Sequence, residues 1–303
     1  MVDRLVWEKN GRGWPNGYAS RFVEAAGFRW HVQVMGQGPA LLLAHGTGAS
    51  THSWRDLAPL LARHFTVIAP DLPGHGFTDA PPANGLTLPG MARSLGELLR
   101  AMNVSPAIAA GHSAGAAILA RMCLDGAIMP DAVISLNGAL MPFRGVASKV
   151  FSPMAKLLFI NPFIPRIFAW RAGGVSSVER LIESTGSAID ADGVELYARL
   201  FRSPAHVAGA LGMMANWDLT PLVRDLPKLK TPFILVAGGA DKAIPADDAF
   251  RVRNMVKTAT VEYLRGLGHL AHEEQPEQIA EIITRVARSF GALNGDIPRR
   301  ASL

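Results

Sequence analysis

The stretch AGHSAGAAILARM, Ala110 to Met122, restricts this chain more than any other. A serine stands between two glycines where a short apolar run, AIAAGHS, gives way to small, helix-forming residues. Gly111-His112-Ser113-Ala114-Gly115 matches G-x-S-x-G, the elbow in which a serine sits on a tight strand-to-helix turn. Glycines are needed there because a side chain at either position would collide with the strand or helix crowding the turn. The pentapeptide alone is weak evidence, but the apolar strand before it and the small-residue helix after it make it strong. Such an elbow belongs to an α/β architecture, a mostly parallel sheet covered by helices on both faces.

The surrounding pattern alternates strand, turn and helix as that architecture requires. FVEAAGFRWHVQVMG reads as an antiparallel hairpin turning at Gly27, and ALLLAHGTG as an apolar strand running into a glycine turn. FTVIAPDLPGHG is a second buried strand followed by a Pro/Gly loop. TLPGMARSLGELLRAMN places Met91, Leu95, Leu98, Leu99 and Met102 on one helical face, with Thr87 or a neighbour as cap. The helix after the elbow stops at Gly126. AVISLNG, FILVAGGAD and VEYLRGLGH are further strands, and PEQIAEIITRVARSF is a final amphipathic helix. Roughly 90 residues separate AVISLNG from FILVAGGAD, too many for a plain crossover. The sheet resumes afterwards, so the interval reads as an inserted helical lid. The expected organisation is a first core part at residues 1–140, a lid at 141–222, a second core part at 223–295 and a polar tail at 296–303.

A serine is a poor nucleophile without a base. In this architecture an acid and then a histidine should follow, each just after a late strand. FILVAGGAD supplies Asp241 and VEYLRGLGH supplies His269, so the order Ser113, Asp241, His269 is met. An oxyanion needs two backbone N–H groups. Ala114, at a helix N-terminus, offers one, and Thr47 in His45-Gly46-Thr47-Gly48 offers the other. His272 is a rival base placed beyond the strand end, and His75 in PGHG reads as a turn residue. No H-x-x-x-H and no Cys/His cluster accompanies the nine histidines, so no metal site is expected. The single cysteine, Cys123, falls in the alanine-rich helix as a core residue and fits a reducing compartment.

Several chemistries are excluded. A covalent ester route to carbon–halogen or epoxide hydrolysis needs a carboxylate nucleophile, and Ser113 is not one. No Gly-Lys pair occurs, so there is no ATP-binding phosphate loop, and no G-x-G-x-x-G follows a strand to hold a nicotinamide. No cofactor is expected. A net charge of +5 is too diffuse to argue for nucleic acid, yet it suits an anionic membrane surface or an acidic partner. MVDRLVWEKNGRGW lacks a secretory apolar stretch, and no uncharged run reaches the ~18 residues of a spanning helix. A cytoplasmic protein, with peripheral contact at the inner membrane open to it, is the expectation.

The lid interval contains FSPMAKLLFINPFIPRIFAW, Phe151 to Trp170, with three prolines and two charges. It reads either as lid packing over an apolar pocket or as a membrane-surface segment with Lys156 and Arg166 snorkelling. Met213, Met214 and Trp217, at helical spacing, read either as core or as lining for a flat, apolar ligand. With His45 they are the candidate pocket residues.

The elbow, the HGTG loop, PDLPGHG and the Asp–His pair together resemble a lid-bearing α/β-hydrolase over nearly the full length. Within that family the chain is similar to the magnesium-chelatase accessory branch of bacteriochlorophyll biosynthesis. The stretches carrying this likeness run from WPNGYASRF to WRDLAPLLA, then APDLPGHGFTDAP, GHSAGAAILARMCLDG, SPAHVAGALGMMANWDL and GLGHLAHEEQPE. The resemblance implies a role near Mg²⁺ insertion into protoporphyrin in a photosynthetic bacterium. Protoporphyrin or Mg-protoporphyrin would be the ligand, and magnesium-chelatase subunits the partners. Two further readings stand beside it: a non-catalytic porphyrin-binding or chaperone-like factor, and a carboxylesterase or C–C bond hydrolase of a degradation pathway.

Overall fold

The computed structural model describes residues 4–81, 83–142, 166, 169 and 174–293. Eight strands form one sheet in the order β1-β2-β4-β3-β5-β6-β7-β8. They are β1 Ser20–Ala25, β2 Phe28–Met35, β3 Ala40–Ala44, β4 Thr66–Pro70, β5 Ile108–His112, β6 Ala132–Leu136, β7 Phe233–Gly238 and β8 Ala259–Leu264. The first two make the expected hairpin, and β2 pairs antiparallel with β4. Its turn uses Ala26 and Gly27, both at positive φ (56° and 81°), a geometry that matches the twist of the flanking strands. From β4 through β3 to β8 every pairing is parallel.

The central strands are buried at nearly every position and mostly apolar because both faces are covered. Leu42, Ile68, Ala109, Val133 and Leu235 point to one face. There they meet α1 (Leu88–Ala101), α2 (Ala114–Leu124) and α6 (Ala246–Met255). Leu41, Leu43, Val67, Ile108, Ile134 and Val236, one residue out of phase, point to the other. That face is closed by the short helix Leu57–Leu61 and by α7 (Pro276–Ser289), through Ile279, Ile282, Ile283 and Val286. Each such side chain contributes about 1.5–3 kcal/mol by leaving water. The Thr87 hydroxyl caps α1 by accepting from the Gly90 N–H at 3.2 Å. Gly126, at φ 70°, ends α2.

Between β6 and β7 the chain builds α3 (Val175–Ser184), α4 (Ala191–Phe201) and α5 (Pro204–Ala215). Asp190 caps α4 through the Gly193 N–H at 2.6 Å, and Ser203 caps α5 through the His206 N–H. Val178 and Ile182 of α3 pack on Val194, Tyr197 and Ala198 of α4. Leu219 and Leu222, at the expected lid boundary, already belong to the core beneath the sheet. The Phe151–Trp170 segment lies outside the described residues except for Arg166 and Ala169, as does the 296–303 tail. Among the described residues no helix is long and apolar enough to cross a membrane.

Parallel order sends the C-terminal ends of β3, β5, β7 and β8 to one edge of the sheet. That edge receives the HGTG turn, Ser113, Asp241 and His269.

Candidate active site

Ser113 lies between β5 and α2 with φ 50° and ψ −116°, outside the regions that L residues favour. Such strain costs of order 1–3 kcal/mol and persists only where neighbours fix it. Here its N–H donates to Leu136 O and its own carbonyl accepts from the Ala139 N–H, both at 3.0 Å. The flanking glycines meet the expected crowding. A Cβ on Gly111 would lie 2.6 Å from Ala116 N, and one on Gly115 would lie 2.1 Å from Ala44 O.

Asp241 and His269 are joined by a 2.8 Å hydrogen bond from His269 Nδ1 to Asp241 Oδ2. The carboxylate is buried and saturated. Oδ1 accepts from the Ala243 and Ile244 N–H groups, and Oδ2 also accepts from Asn137 Nδ2, each at 2.8 Å. Four donors fix its orientation. Its bond to Nδ1 fixes the proton there and leaves Nε2 as the basic lone pair. Among the described residues that Nε2 has no hydrogen-bond partner, and neither has Ser113 Oγ. His112 Nε2 donates to the His269 carbonyl at 3.0 Å, so the histidine loop is tied to the residue preceding the serine.

The Thr47 and Ala114 N–H groups, the expected oxyanion donors, have no acceptor among the described residues. Gly46 abuts the serine, since a Cβ there would lie 3.0 Å from Ser113 Cβ. The Thr47 hydroxyl donates to Met213 Sδ at 3.4 Å, which brings α5 against this turn.

His45 holds the loops instead of facing outward. Its Nδ1 donates to Gly46 O and its Nε2 accepts from the Leu72 N–H, each at 2.8 Å. Burial pushes its pKa down, as the neutral tautomer requires. Met213 is fully buried in the main core, whereas Met214 and Trp217 are partly exposed. His272 is sealed against Ser53 Oγ at 2.9 Å, and burial, then His269 and Arg55, hold it down at about 3. His75 is a buried turn residue bonded to Pro73 O. Burial pushes the Cys123 thiol up to about 12, which makes it inert at neutral pH. Among the described residues no cluster of His, Cys, Asp or Glu could hold a metal ion.

Sequence reasoning overlooked three positions. Asn137, at φ 48° just past β6, also donates to Gly268 O at 3.2 Å, bridging the acid and histidine loops. His206 of α5 accepts from the Gly76 N–H and donates to Gly48 O, both at 3.0 Å. It staples α5 to two core loops, and burial lowers it to about 4. One turn later Gly209 passes so close to Gly74 that a Cβ would lie 2.0 Å from Gly74 O. His206, Gly209 and Met213, at i, i+3 and i+7, were a legible signal of a face reserved for close contact. Glu273 is the third. It is buried, accepts from Ser53 and Tyr197, and pairs with Arg55. No local pattern betrays it.

Residues 41–282 match the model of the alpha/beta hydrolase family. The chain is 39% identical to the magnesium-chelatase 30 kDa subunit of Rhodobacter capsulatus, over 89% of this chain and 95% of that one. It is 27% identical to the 2-hydroxy-6-oxo-6-(2'-aminophenyl)hexa-2,4-dienoic acid hydrolase of Metapseudomonas resinovorans, over 95% and 96%. Among solved structures, a serine hydrolase involved in carbazole degradation superposes with a TM-score of 0.73 at 21% identity. That match covers 89% of this chain and 98% of the other.

Proposed function

Because the chain belongs to the alpha/beta hydrolase family, we propose that it is a serine hydrolase that cleaves an ester or related acyl bond of an apolar substrate in the service of magnesium chelatase. The observation that carries the chemistry is the Asp241–His269 pair, with Nδ1 committed to the carboxylate and Nε2 left without a partner among the described residues.

In this reading His269 Nε2 takes the Ser113 proton as Oγ attacks the substrate carbonyl carbon. Asp241 stabilises the imidazolium that forms. The Thr47 and Ala114 N–H groups receive the oxyanion of the tetrahedral intermediate, which removing one donor would destabilise by about 2.7–4 kcal/mol. The intermediate collapses, and His269 hands its proton to the leaving alcohol. Water then enters, gives a proton to His269 and attacks the acyl-serine. A second collapse expels Ser113 Oγ, which takes the proton back from His269, and the carboxylic acid departs.

The pathway placement draws on the likeness to the chelatase subunit. The chain has no phosphate loop of its own, so it would assist metal insertion and not drive it. A porphyrin, protoporphyrin or Mg-protoporphyrin, is the proposed ligand, carried as an ester where it is substrate. Met214 and Trp217, partly exposed beside the buried Met213, suit a flat apolar molecule. Chelatase subunits are the proposed protein partners, and residues 151–170 the proposed membrane-surface contact. A second reading, a porphyrin carrier that performs no hydrolysis, is favoured by one observation. The relative named for chelatase is 39% identical and the degradative hydrolase only 27%.

Labelling with a serine-reactive fluorophosphonate separates the two. Rapid labelling of the intact protein, lost in Ser113→Ala and His269→Ala, supports the hydrolase. An intact protein that stays unlabelled overturns it, and titration with protoporphyrin, followed by its absorbance, then tests the carrier.

A further inference from the structure

The turn between α3 and α4, Thr185-Gly186-Ser187, lies far from the candidate nucleophile in sequence and forms no part of the sheet. It is nonetheless wedged between the two loops that carry Asp241 and His269. On the acid side, the Lys242 N–H donates to Thr185 O at 2.9 Å. A Cβ on Gly186, whose φ is 86°, would lie 2.0 Å from Ala240 O. On the histidine side, the Leu270 N–H donates to the buried Ser187 Oγ at 2.7 Å. A Cβ on Gly268 would lie 2.3 Å from Gly186 O and 2.5 Å from Ser187 Oγ. Backbone therefore rests on backbone at both contacts, and only glycine at 186 and 268 allows it.

The same corner grips the histidine loop further on. Leu270 is buried in the apolar cluster of α3 and α4, with Val178, Ile182 and Tyr197. The Tyr197 hydroxyl donates to Glu273 at 2.8 Å. His269 is thus followed directly by a residue whose N–H and side chain are both held by the insertion. Those contacts set where the imidazole stands relative to Asp241.

We infer that Ser187, seated in the Gly186 turn, is a positioning residue for the Asp241–His269 pair, so that the insertion supplies part of the acid–base machinery as well as a roof. The inference rests on the hydrolase reading above for its kinetic consequence, but its geometric consequence stands without it. Loss of the Ser187 hydroxyl frees the Leu270 N–H and lets the histidine loop drift from the carboxylate. Displacements of about 1 Å at such a site cost on the order of 10²-fold in rate.

The test compares Ser187→Ala and Gly186→Ala with Glu195→Gln, an exposed α4 residue whose partner is Arg202. The assays are p-nitrophenyl ester turnover over a pH range and proton NMR of the downfield Nδ1–H of His269. The expected result for Ser187→Ala is a kcat lower by about 10–100-fold with KM within about twofold. The acid limb of its pH profile moves to lower pH, because a looser carboxylate stabilises the imidazolium less. Its downfield resonance shifts or broadens. Gly186→Ala gives the same changes, larger, and Glu195→Gln behaves as the parent protein. Should the parent turn over no ester, the hydrolase reading falls and the resonance alone decides. A changed resonance in folded Ser187→Ala supports the positioning role. An unchanged one overturns it, as does a kcat loss that merely follows the folded fraction measured by circular dichroism.

Discussion

Among the described residues two Ser–His–Asp sets stand out, one closed by hydrogen bonds from end to end and the other open between serine and histidine. In the first, His31 Nδ1 bonds Asp71 Oδ2 and His31 Nε2 bonds Ser20 Oγ, both at 2.8 Å. By distance alone it is the better triad. Yet His31 is 0% exposed, Ser20 has an ordinary extended backbone at φ −70°, and Trp7 stacks on the imidazole with ring centroids 5.0 Å apart. Asp71 is also spent on the Thr51 and Phe77 N–H groups. Burial pushes its carboxyl pKa up, but His31, then His45 and the Phe77 N–H, outweigh that and hold it below the usual carboxylate range. In the second, Ser113 is strained at a helix N-terminus and His269 Nε2 is unpartnered among the described residues. The comparison teaches that the same three residue types can be closed on one another as a fastener or left open, and the proposed hydrolysis needs the open set.

The largest effect that can break this contrast is on labelling. Ser113→Ala should abolish fluorophosphonate reaction and cost on the order of 10⁶-fold in turnover, while Ser20→Ala leaves both unchanged. Labelling that disappeared with Ser20 would reverse the assignment.

The carboxylates should separate in the opposite sense. Asp241→Asn is expected to lower turnover by about 10⁴-fold per folded molecule, because it upsets the His269 tautomer. Asp71→Asn should cost about 3–5 kcal/mol of stability, read by urea denaturation, because it leaves a buried histidine and two amides badly partnered.

Acid should sharpen the contrast through histidines that are buried neutral. His206 stands at about 4 against an ordinary 6.5, with burial the main cause. His45, His52, His75 and His112 are also lowered, each chiefly by burial. A depressed pKa means that the unfolded chain binds the proton first. The stability associated with neutral burial is therefore complete above about pH 6.5 and lost as pH falls towards 4. For His206 the loss is about 3 kcal/mol over that window. Urea midpoints should fall from pH 7.5 to 4.5, and His206→Gln should flatten that fall.

The smallest effect concerns Thr47. Thr47→Val removes the hydroxyl from Met213 Sδ but keeps the N–H, so turnover should stay within about threefold and stability within ~1 kcal/mol. A loss near 10²-fold would mean that the side chain, and not the backbone amide, faces the reacting oxygen.

Much of the architecture was legible because it is local. The elbow, the hairpin turn at Gly27, the Thr87 cap and the Gly126 stop each depend on residues within one turn of one another. The order of Ser113, Asp241 and His269 followed from strand ends, which the apolar runs mark directly. What escaped was every residue whose partner lies far along the chain: Asn137 on Asp241, His206 on Gly48 and Gly76, Glu273 on Arg55 and Tyr197, and Ser187 on Leu270. His45 belongs with them, since the sequence placed it in a pocket and the fold spends both of its nitrogens on backbone.

The sequence by itself determined the class of sheet, the serine turn and the chain order of acid and base. Hydrophobic periodicity and turn chemistry act over a few residues, and they are written there. Only the tertiary structure decided which serine is bonded to its histidine and which, among the described residues, is not, and that the α3–α4 turn touches both the Asp241 and the His269 loops. Those outcomes depend on which buried donors and acceptors are already satisfied. That is settled by side chains arriving from 40, 83 or 157 positions away, and no local pattern encodes it.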